Sequence, residues 1–89
     1  MKHSIHNLRN EIKIIDEKII ALLQERISLS NQIGSVKKQR GIKIKDREQE
    51  KKVIAHIEAV PHDPLYTQDI KKLYSSIIRI CRKSQKSEK

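Results

Sequence analysis

Residues 5–40 read IHNLRNEIKIIDEKIIALLQERISLSNQIGSVKKQR, and this segment has the clearest apolar pattern of the chain. Its apolar residues recur at alternating spacings of three and four, which is typical of a helix with one apolar stripe. Such a helix would be about 50 Å long at 1.5 Å per residue. Because that length exceeds the diameter of an 89-residue globule, we expect the helix to need partners along its whole length. The residues of the stripe are Ile5, Leu8, Ile12, Ile15, Ile19, Leu22, Leu29, Ile33 and Val36.

Two shorter helices are predicted after this one. Asp46 is placed to cap a second helix, and Asp63 with Pro64 is placed to start a third as its cap and first residue. We expect the tail to fray after about residue 85, and no segment shows the alternation of a strand. The sequence therefore predicts an all-α domain over residues 1–89, with one long and two shorter helices. Their apolar residues are Val53, Ile54 and Ile57, then Ile70, Leu73, Tyr74, Ile77, Ile78 and Cys81.

The composition narrows the classes of partner. Twenty Lys and Arg against eleven Asp and Glu give a net charge of +9, which predicts attraction to nucleic acid, a membrane surface or a small polyanion. Aromatic residues are only 2% of the chain, so few are available to stack on bases. No apolar run approaches the roughly 20 residues that a membrane span needs. Cys81 is the only cysteine, which excludes an internal disulfide, and we expect a cytoplasmic protein.

The long stripe also predicts self-association. The second and third helices together are about as long as the first, so they can fold back along it. A three-helix monomer would nevertheless leave part of the stripe in contact with water. A homodimer with the long helices side by side would cover it, and so would a coiled-coil oligomer.

Five polar residues stand where the apolar pattern continues or directly beside it. Arg26, for example, lies four residues after Leu22 and three before Leu29. Each one alone is explained by a salt bridge, a register device or a side chain that extends to solvent. Together they describe a positively charged cavity with one acceptor and one neutral amide, which suits a small dianion carrying a hydroxyl. The five are Arg9, Arg26, Lys37, Glu50 and Gln85.

The usual catalytic machinery has no counterpart in the sequence. Ser28 and Ser30 have no histidine within helical reach, and Cys81 has no obvious base. The histidines form no metal-binding pattern and no glycine-rich phosphate loop occurs, so we expect neither a metal nor a cofactor. An enzyme of this kind would act by positioning and electrostatics.

The same residues resemble those of the all-helical (type II) chorismate mutases, a family of intertwined homodimers that convert chorismate to prephenate. The resemblance is continuous from about Leu8 to Val53 and resumes in the third helix. It implies a place in the shikimate pathway and in aromatic amino acid biosynthesis. The matching stretches are LRNEI (8–12), IDEKIIALL (15–23), ER (25–26), IGSVK (33–37), DREQE (46–50), LY (73–74), II (77–78) and Gln85.

The resemblance implies four roles around the carboxylates and the ether oxygen of the substrate. Arg9 corresponds to the arginine that reaches into the partner subunit's site and holds a carboxylate, and Arg26 to the arginine that clamps a carboxylate within its own subunit. Lys37 corresponds to the lysine that bonds the ether oxygen, and Gln85 to the side chain on the other side of that oxygen. Catalysis is therefore expected from Arg26, Lys37 and Gln85, together with Glu50.

The resemblance also assigns the region around the ring hydroxyl. Glu50 corresponds to the acceptor for that hydroxyl, and Asp46 to the loop residue beside it. Two substrate-binding positions depart from the family's pattern. Gln49 stands where that pattern has an arginine, and Cys81 stands where it often has a serine. The loss of the arginine removes a positive group and puts the rate, and even the substrate, in question.

Several functions remain open at the level of sequence. Relatives on this fold act as isochorismate-pyruvate lyases or as 4-amino-4-deoxychorismate mutases. Glu50 favours a substrate with a hydroxyl or amino group to accept from, so the simple mutase ranks first. A basic nucleic-acid-binding protein would explain the charge but not the interior Glu50 and Gln85. In a helical scaffold, Arg26 would only set the register.

Overall fold

The computed structural model describes residues 4–87, with side chains up to residue 86, and contains three helices. They are α1 (Ile5–Gln39), α2 (Arg47–Ala59) and α3 (Thr67–Ser87). No strand occurs between residues 4 and 87, so the prediction of an all-α fold with one long and two shorter helices is confirmed. Helix α3 extends two residues past Gln85, and the rest of the expected frayed tail, residues 88–89, lies outside the described residues.

Local hydrogen bonds fix both ends of α1. The Ser4 hydroxyl accepts a hydrogen bond from the Asn7 amide at 3.1 Å, which caps the N-terminus. At the other end Gly41 has a φ of 67°, a backbone conformation that favours glycine. The amide of Ile42 donates to the Lys37 carbonyl at 2.8 Å and that of Gly41 to Lys38 at 3.2 Å. These two bonds form a Schellman motif that ends the helix.

The shorter helices differ in how well local sequence predicts their starts. Asp46 caps α2 as expected, because its carboxylate accepts a hydrogen bond from the Gln49 amide at 3.1 Å.

The prediction that Asp63 and Pro64 start α3 is wrong, since the helix begins at Thr67. The Leu65 amide donates to the His62 carbonyl at 2.6 Å and closes a turn over residues 62–65. The His62 ring donates from Nδ1 to the Val60 carbonyl at 2.7 Å, and its Nε2 lies 3.0 Å from the Thr67 hydroxyl. These bonds hold residues 60–66 outside the helix.

Helix α3 is the central element, since it packs against both α1 and α2. The molecule is elongated, with principal dimensions of 59 × 27 × 15 Å, and little of it is buried. Ile70 and Cys81 of α3 are buried, as are Gly34 of α1 and Gln85 of α3. This small core lies mainly between α1 and α3, and two of its residues, Cys81 and Gln85, are predicted site residues.

The N-terminal half of α1 has no partner among residues 4–87. Every residue from Ile5 to Leu22 is exposed, although this half contains six of the nine stripe residues. In the other half the stripe residues Leu29, Ile33 and Val36 are exposed as well. The face of α1 that α3 covers lies beside the stripe and includes Ser30 and Gly34, both of which contact Gln85. The predicted stripe is therefore left uncovered within one chain. No helix between residues 4 and 87 is long and apolar enough to cross a membrane.

Candidate active site

A cavity of about 350 Å³ lies between the three helices and the loop that joins α1 to α2. Apolar side chains such as Leu29, Ile33 and Val53 form part of its lining. The rest of the lining contains seven of the eight side chains that the sequence analysis assigned to a site. They are Arg26, Lys37, Asp46, Gln49, Glu50, Cys81 and Gln85.

Arg26 reaches this cavity from the middle of α1. It is half-buried, and its Nη1 donates a hydrogen bond to the sulfur of Cys81 at 3.0 Å. Cys81 lies on α3, opposite Arg26 of α1, and is only 4% exposed. Because sulfur is a weak acceptor, this contact orients the guanidinium without neutralising it. Within residues 4–86, no carboxylate forms an ion pair with Arg26.

Lys37 lies at the far end of the cavity, in the last turn of α1. Its ammonium donates a hydrogen bond to the carbonyl oxygen of Ile44 at 3.1 Å, and the side chain is half-buried. This bond ties the α1–α2 loop to α1. An ammonium has three N–H donors, so two of them remain for a ligand or for water after the bond to Ile44.

Gln85 faces the helix of Lys37 from α3 and is 8% exposed. Its amide nitrogen donates a hydrogen bond to the carbonyl oxygen of Ser30 at 2.7 Å, which leaves the second N–H of the amide for another acceptor. The helical spacing predicts an interior position for Gln85, and its burial agrees with that position.

Gly34 allows Gln85 to approach α1 this closely. A Cβ atom at Gly34 would lie 3.0 Å from Cγ and 3.1 Å from Cβ of Gln85, which is closer than carbon atoms pack without displacement. A glycine inside a helix lowers its stability by about 1 kcal/mol relative to alanine. Here the glycine brings the amide of Gln85 to its place in the cavity wall.

Glu50 and Arg82 form an ion pair at the side of the cavity where α2 meets α3. Nη1 of Arg82 donates to Oε2 of Glu50 at 2.5 Å, and the side chains of Arg82 and Glu50 are 24% and 29% exposed. Arg82 was not among the site residues predicted from the sequence. Its spacing could have identified it, because Arg82 lies four residues after Ile78 and three before Gln85, both of which line the same cavity.

Asp46 and Gln49 reach the cavity from the start of α2. Both are exposed, and the carboxylate of Asp46 is engaged with the backbone amide of Gln49 as the helix cap. The structure thus gives Asp46 a local structural role beside the site.

Arg9 is the one predicted site residue that does not line the cavity. It is exposed and lies in the N-terminal half of α1. It precedes Arg26 by 17 residues, which is about 26 Å along a helix at 1.5 Å per residue. An arginine side chain cannot span that distance, so Arg9 cannot contribute to the cavity of its own chain.

The chemistry of the lining suits a small anion that needs orientation. Three cationic side chains, two carboxylates and the two neutral amides of Gln49 and Gln85 surround partly apolar space. Guanidinium forks bind carboxylates in a fixed geometry, and a lysine with a neutral amide can stabilise negative charge that develops on an oxygen. Within residues 4–87 no three His, Cys, Asp or Glu side chains are grouped so as to hold a metal ion.

Known proteins share both the sequence pattern and the fold. The family model for chorismate mutase type II matches residues 8–86. A chorismate mutase of Methanocaldococcus jannaschii is 39% identical over 57 residues, which cover 64% of this chain and 58% of that protein. The match to this curated relative therefore spans somewhat more than half of its length.

Two solved structures of chorismate mutase from Thermus thermophilus are similar to the whole arrangement. Form II has a TM-score of 0.91 and 26% sequence identity, over 94% of this chain and 96% of that one. Form I has a TM-score of 0.83 and 28% identity, over 86% and 96% of the two chains. Since the family model covers most of the sequence and the fold agrees over nearly all of it, the chain belongs to the chorismate mutase type II family.

Proposed function

We propose that this protein is a cofactor-free, homodimeric chorismate mutase that rearranges chorismate to prephenate. The observation that carries the proposal is the single cavity that collects Arg26, Lys37, Glu50 and Gln85 from three helices. These side chains are far apart in sequence, and they supply the cations, the acceptor and the amide that this substrate requires. The proposal includes a cytoplasmic location, as the composition predicts.

Arg26 and Glu50 bind and orient the substrate in this proposal. Chorismate carries two carboxylates, a ring hydroxyl and an ether oxygen. The guanidinium of Arg26, held by Cys81 and by no carboxylate among residues 4–86, can grip one carboxylate through two parallel N–H bonds. Glu50 can accept a hydrogen bond from the ring hydroxyl. These contacts favour the compact conformer in which the enolpyruvyl arm lies over the ring.

Lys37 and Gln85 stabilise the transition state. The rearrangement breaks the C–O ether bond while a C–C bond forms, so it needs no nucleophile and no proton transfer. Negative charge grows on the ether oxygen as the bond breaks. The spare N–H groups of Lys37 and Gln85 can donate to that oxygen most strongly when its charge is largest, which is selective binding of the transition state.

The second copy of the chain completes the site and covers the apolar stripe. Six apolar stripe residues between Ile5 and Leu22 are exposed, and burial of such a stripe on a like stripe is favourable. Arg9 lies on the same half of α1, too far from its own cavity to serve it. We therefore place Arg9 in the cavity of the partner subunit, where it binds a substrate carboxylate.

Turnover of chorismate by the purified protein tests the proposal. We expect loss of chorismate absorbance with stoichiometric prephenate, and a much lower rate with the Arg26→Ala variant. Isochorismate and 4-amino-4-deoxychorismate should be assayed side by side with chorismate. Formation of pyruvate, or preference for either analogue, would favour one of the two other activities on this fold. No turnover of any of the three, with DNA binding that weakens steeply with salt, would replace the proposal by nucleic-acid binding.

A further inference from the structure

Arg82 is a cation of the cavity that neither the sequence pattern nor the proposed roles use. It lies on α3 one turn after Ile78 and one turn before the buried Gln85. Its side chain is about three-quarters buried and shares the cavity lining with Arg26 and Lys37. Its contact there is the ion pair with Glu50, the proposed acceptor for the substrate hydroxyl.

The charge of the cavity depends on Arg82. The lining contains three cations, Arg26, Lys37 and Arg82, and two carboxylates, Asp46 and Glu50. One chain therefore gives its cavity a net charge of +1, and without Arg82 the lining would be neutral. With the partner's Arg9 added, the proposed site carries +2 and matches a dianion, whereas without Arg82 it would carry +1 and would compensate the desolvation of both carboxylates less well. Gln49, which lies beside Glu50 in the same lining, adds no charge.

The shape of the side chain allows it to hold two partners at once. A guanidinium presents five N–H donors in a rigid fork, and only Nη1 of Arg82 is engaged with Glu50. We propose that Arg82 is a further substrate-binding residue, an inference that rests on the proposed function. In this role Arg82 holds Glu50 with one side of its guanidinium and bonds a substrate carboxylate with the other. It thereby supplies the positive charge that Gln49 does not.

A merely structural ion pair predicts different behaviour. Partly exposed pairs contribute little to stability, so a structural Arg82 would affect folding slightly and the kinetics of the substrate hardly at all. A substrate-binding Arg82 would mainly raise KM when replaced by a neutral residue, because the contact to the carboxylate exists in the ground state and in the transition state alike. Because Arg82 also holds Glu50 in place, its replacement would in addition lower kcat, by a smaller factor.

The experiment compares Arg82→Gln with Arg79→Gln. Arg79 lies one turn earlier on α3, is exposed and does not line the cavity, so its variant controls for the loss of a surface charge on the same helix. We expect kcat/KM for chorismate to fall about 10- to 100-fold in Arg82→Gln, mostly through KM, since a bond to a charged group is lost. Arg79→Gln should stay within about twofold of wild type.

A second change in the Arg82→Gln background tests whether the charge is what matters. Gln49→Arg should restore kcat/KM at least about threefold in that background, because it returns a cation to the lining beside Glu50. If Arg82→Gln fails to fold, Arg82→Lys carries the test. One ammonium cannot bridge two carboxylates as a fork does, so kcat/KM should fall at least about threefold.

Three results would overturn the inference while leaving the proposed function intact. The first is a kcat/KM of Arg82→Gln equal to that of Arg79→Gln. The second is a kcat/KM of Arg82→Gln that does not rise when Gln49→Arg is added. The third is a kcat/KM of Arg82→Lys equal to that of the wild type. Each presupposes that the wild-type protein converts chorismate. A wild-type protein without that turnover would instead refute the proposed function, and this inference with it.

Discussion

The two halves of α1 share one apolar pattern and have different surroundings. From Ile5 to Leu22 every side chain is exposed. After Leu23 the helix packs against α3, Gly34 is buried, and Arg26 and Lys37 are half-buried in the cavity wall. The same repeat of three and four residues runs through both halves. The half with an intrachain partner carries the cavity, and the half without one carries Arg9.

The difference shows what an apolar stripe does and does not specify. The stripe predicts a helix that must be covered, but it does not say which element covers it. Even in the second half, Leu29 and Ile33 are exposed, and α3 packs beside them on the face with Gly34. Leu29 and Ile33 line the cavity, so the part of the stripe that is free for a second copy of the chain is mainly the one from Ile5 to Leu22, as the proposed dimer requires.

The largest expected effect comes from a charge on the uncovered half. In Ile12→Glu, a carboxylate would be buried between the two copies, which should destabilise the dimer by at least about 3 kcal/mol. We expect loss of dimer, loss of cooperative unfolding and loss of activity. Sedimentation equilibrium and thermal unfolding at several protein concentrations would measure this.

Asn10→Glu is the matched control for that substitution. It adds the same charge two residues away, on the side of α1 opposite Ile12, and should change stability by less than about 0.5 kcal/mol. Equal effects of the two changes would mean that the stripe stays in water and that no second copy covers it.

The next largest effect is expected in the half that lines the cavity. Lys37→Ala removes the ammonium proposed to bond the ether oxygen, so kcat should fall about 10²- to 10³-fold. Stability should change by about 1 kcal/mol or less, because the side chain is half-buried and makes one hydrogen bond to Ile44. Steady-state kinetics and chemical denaturation separate the two quantities. Lys43→Ala, a change at an exposed loop residue, is the control. If kcat of Lys37→Ala equalled kcat of Lys43→Ala, Lys37 would have no part in the mechanism.

Gly34→Ala tests the contact between the two cavity helices and should have a smaller effect. The added methyl group would lie 3.0 Å from Cγ of Gln85 and would displace its amide by a few tenths of an ångström. We expect kcat to fall about tenfold, because the donor on Gln85 is misplaced. The free energy of unfolding should change little, since the gain in helix propensity of about 1 kcal/mol offsets the strain of the new contact. Ser35→Ala, on the exposed neighbour, should leave kcat unchanged. An unchanged kcat in Gly34→Ala would show that the position of Gln85 is not critical.

Features that depend on a few neighbouring residues could be predicted from the sequence. The caps at Ser4 and Asp46 and the end of α1 near Gly41 follow from side chains and backbone angles within a few positions. The four central cavity residues followed from their register on predicted helices, and the structure brings all of them to one cavity. They are Arg26, Lys37, Glu50 and Gln85.

Features that depend on contacts between distant segments could not be predicted. Asp63 and Pro64 carry the usual marks of a helix start, but the bonds of the His62 ring hold that segment as a turn. From the sequence alone, Gly34 predicts only a weaker helix. Its role became clear from the position of α3, whose Gln85 packs against it. Arg82 was not predicted as a site residue because its place depends on how α3 packs: the Gln85 side chain bonds to α1, and the Arg82 side chain pairs with Glu50 of α2.

A mixing experiment tests whether each site combines the cavity of one chain with Arg9 of a second chain. Arg9→Ala and Arg26→Ala homodimers should each be nearly inactive, because every site in them lacks one arginine. After co-refolding at equal amounts, half of the dimers should be mixed, and each mixed dimer has one site with both arginines. Random pairing in a two-fold dimer should therefore restore about one quarter of the wild-type turnover of chorismate. A mixture no more active than the separate variants, under conditions where the wild type is active, would contradict a site shared between two chains.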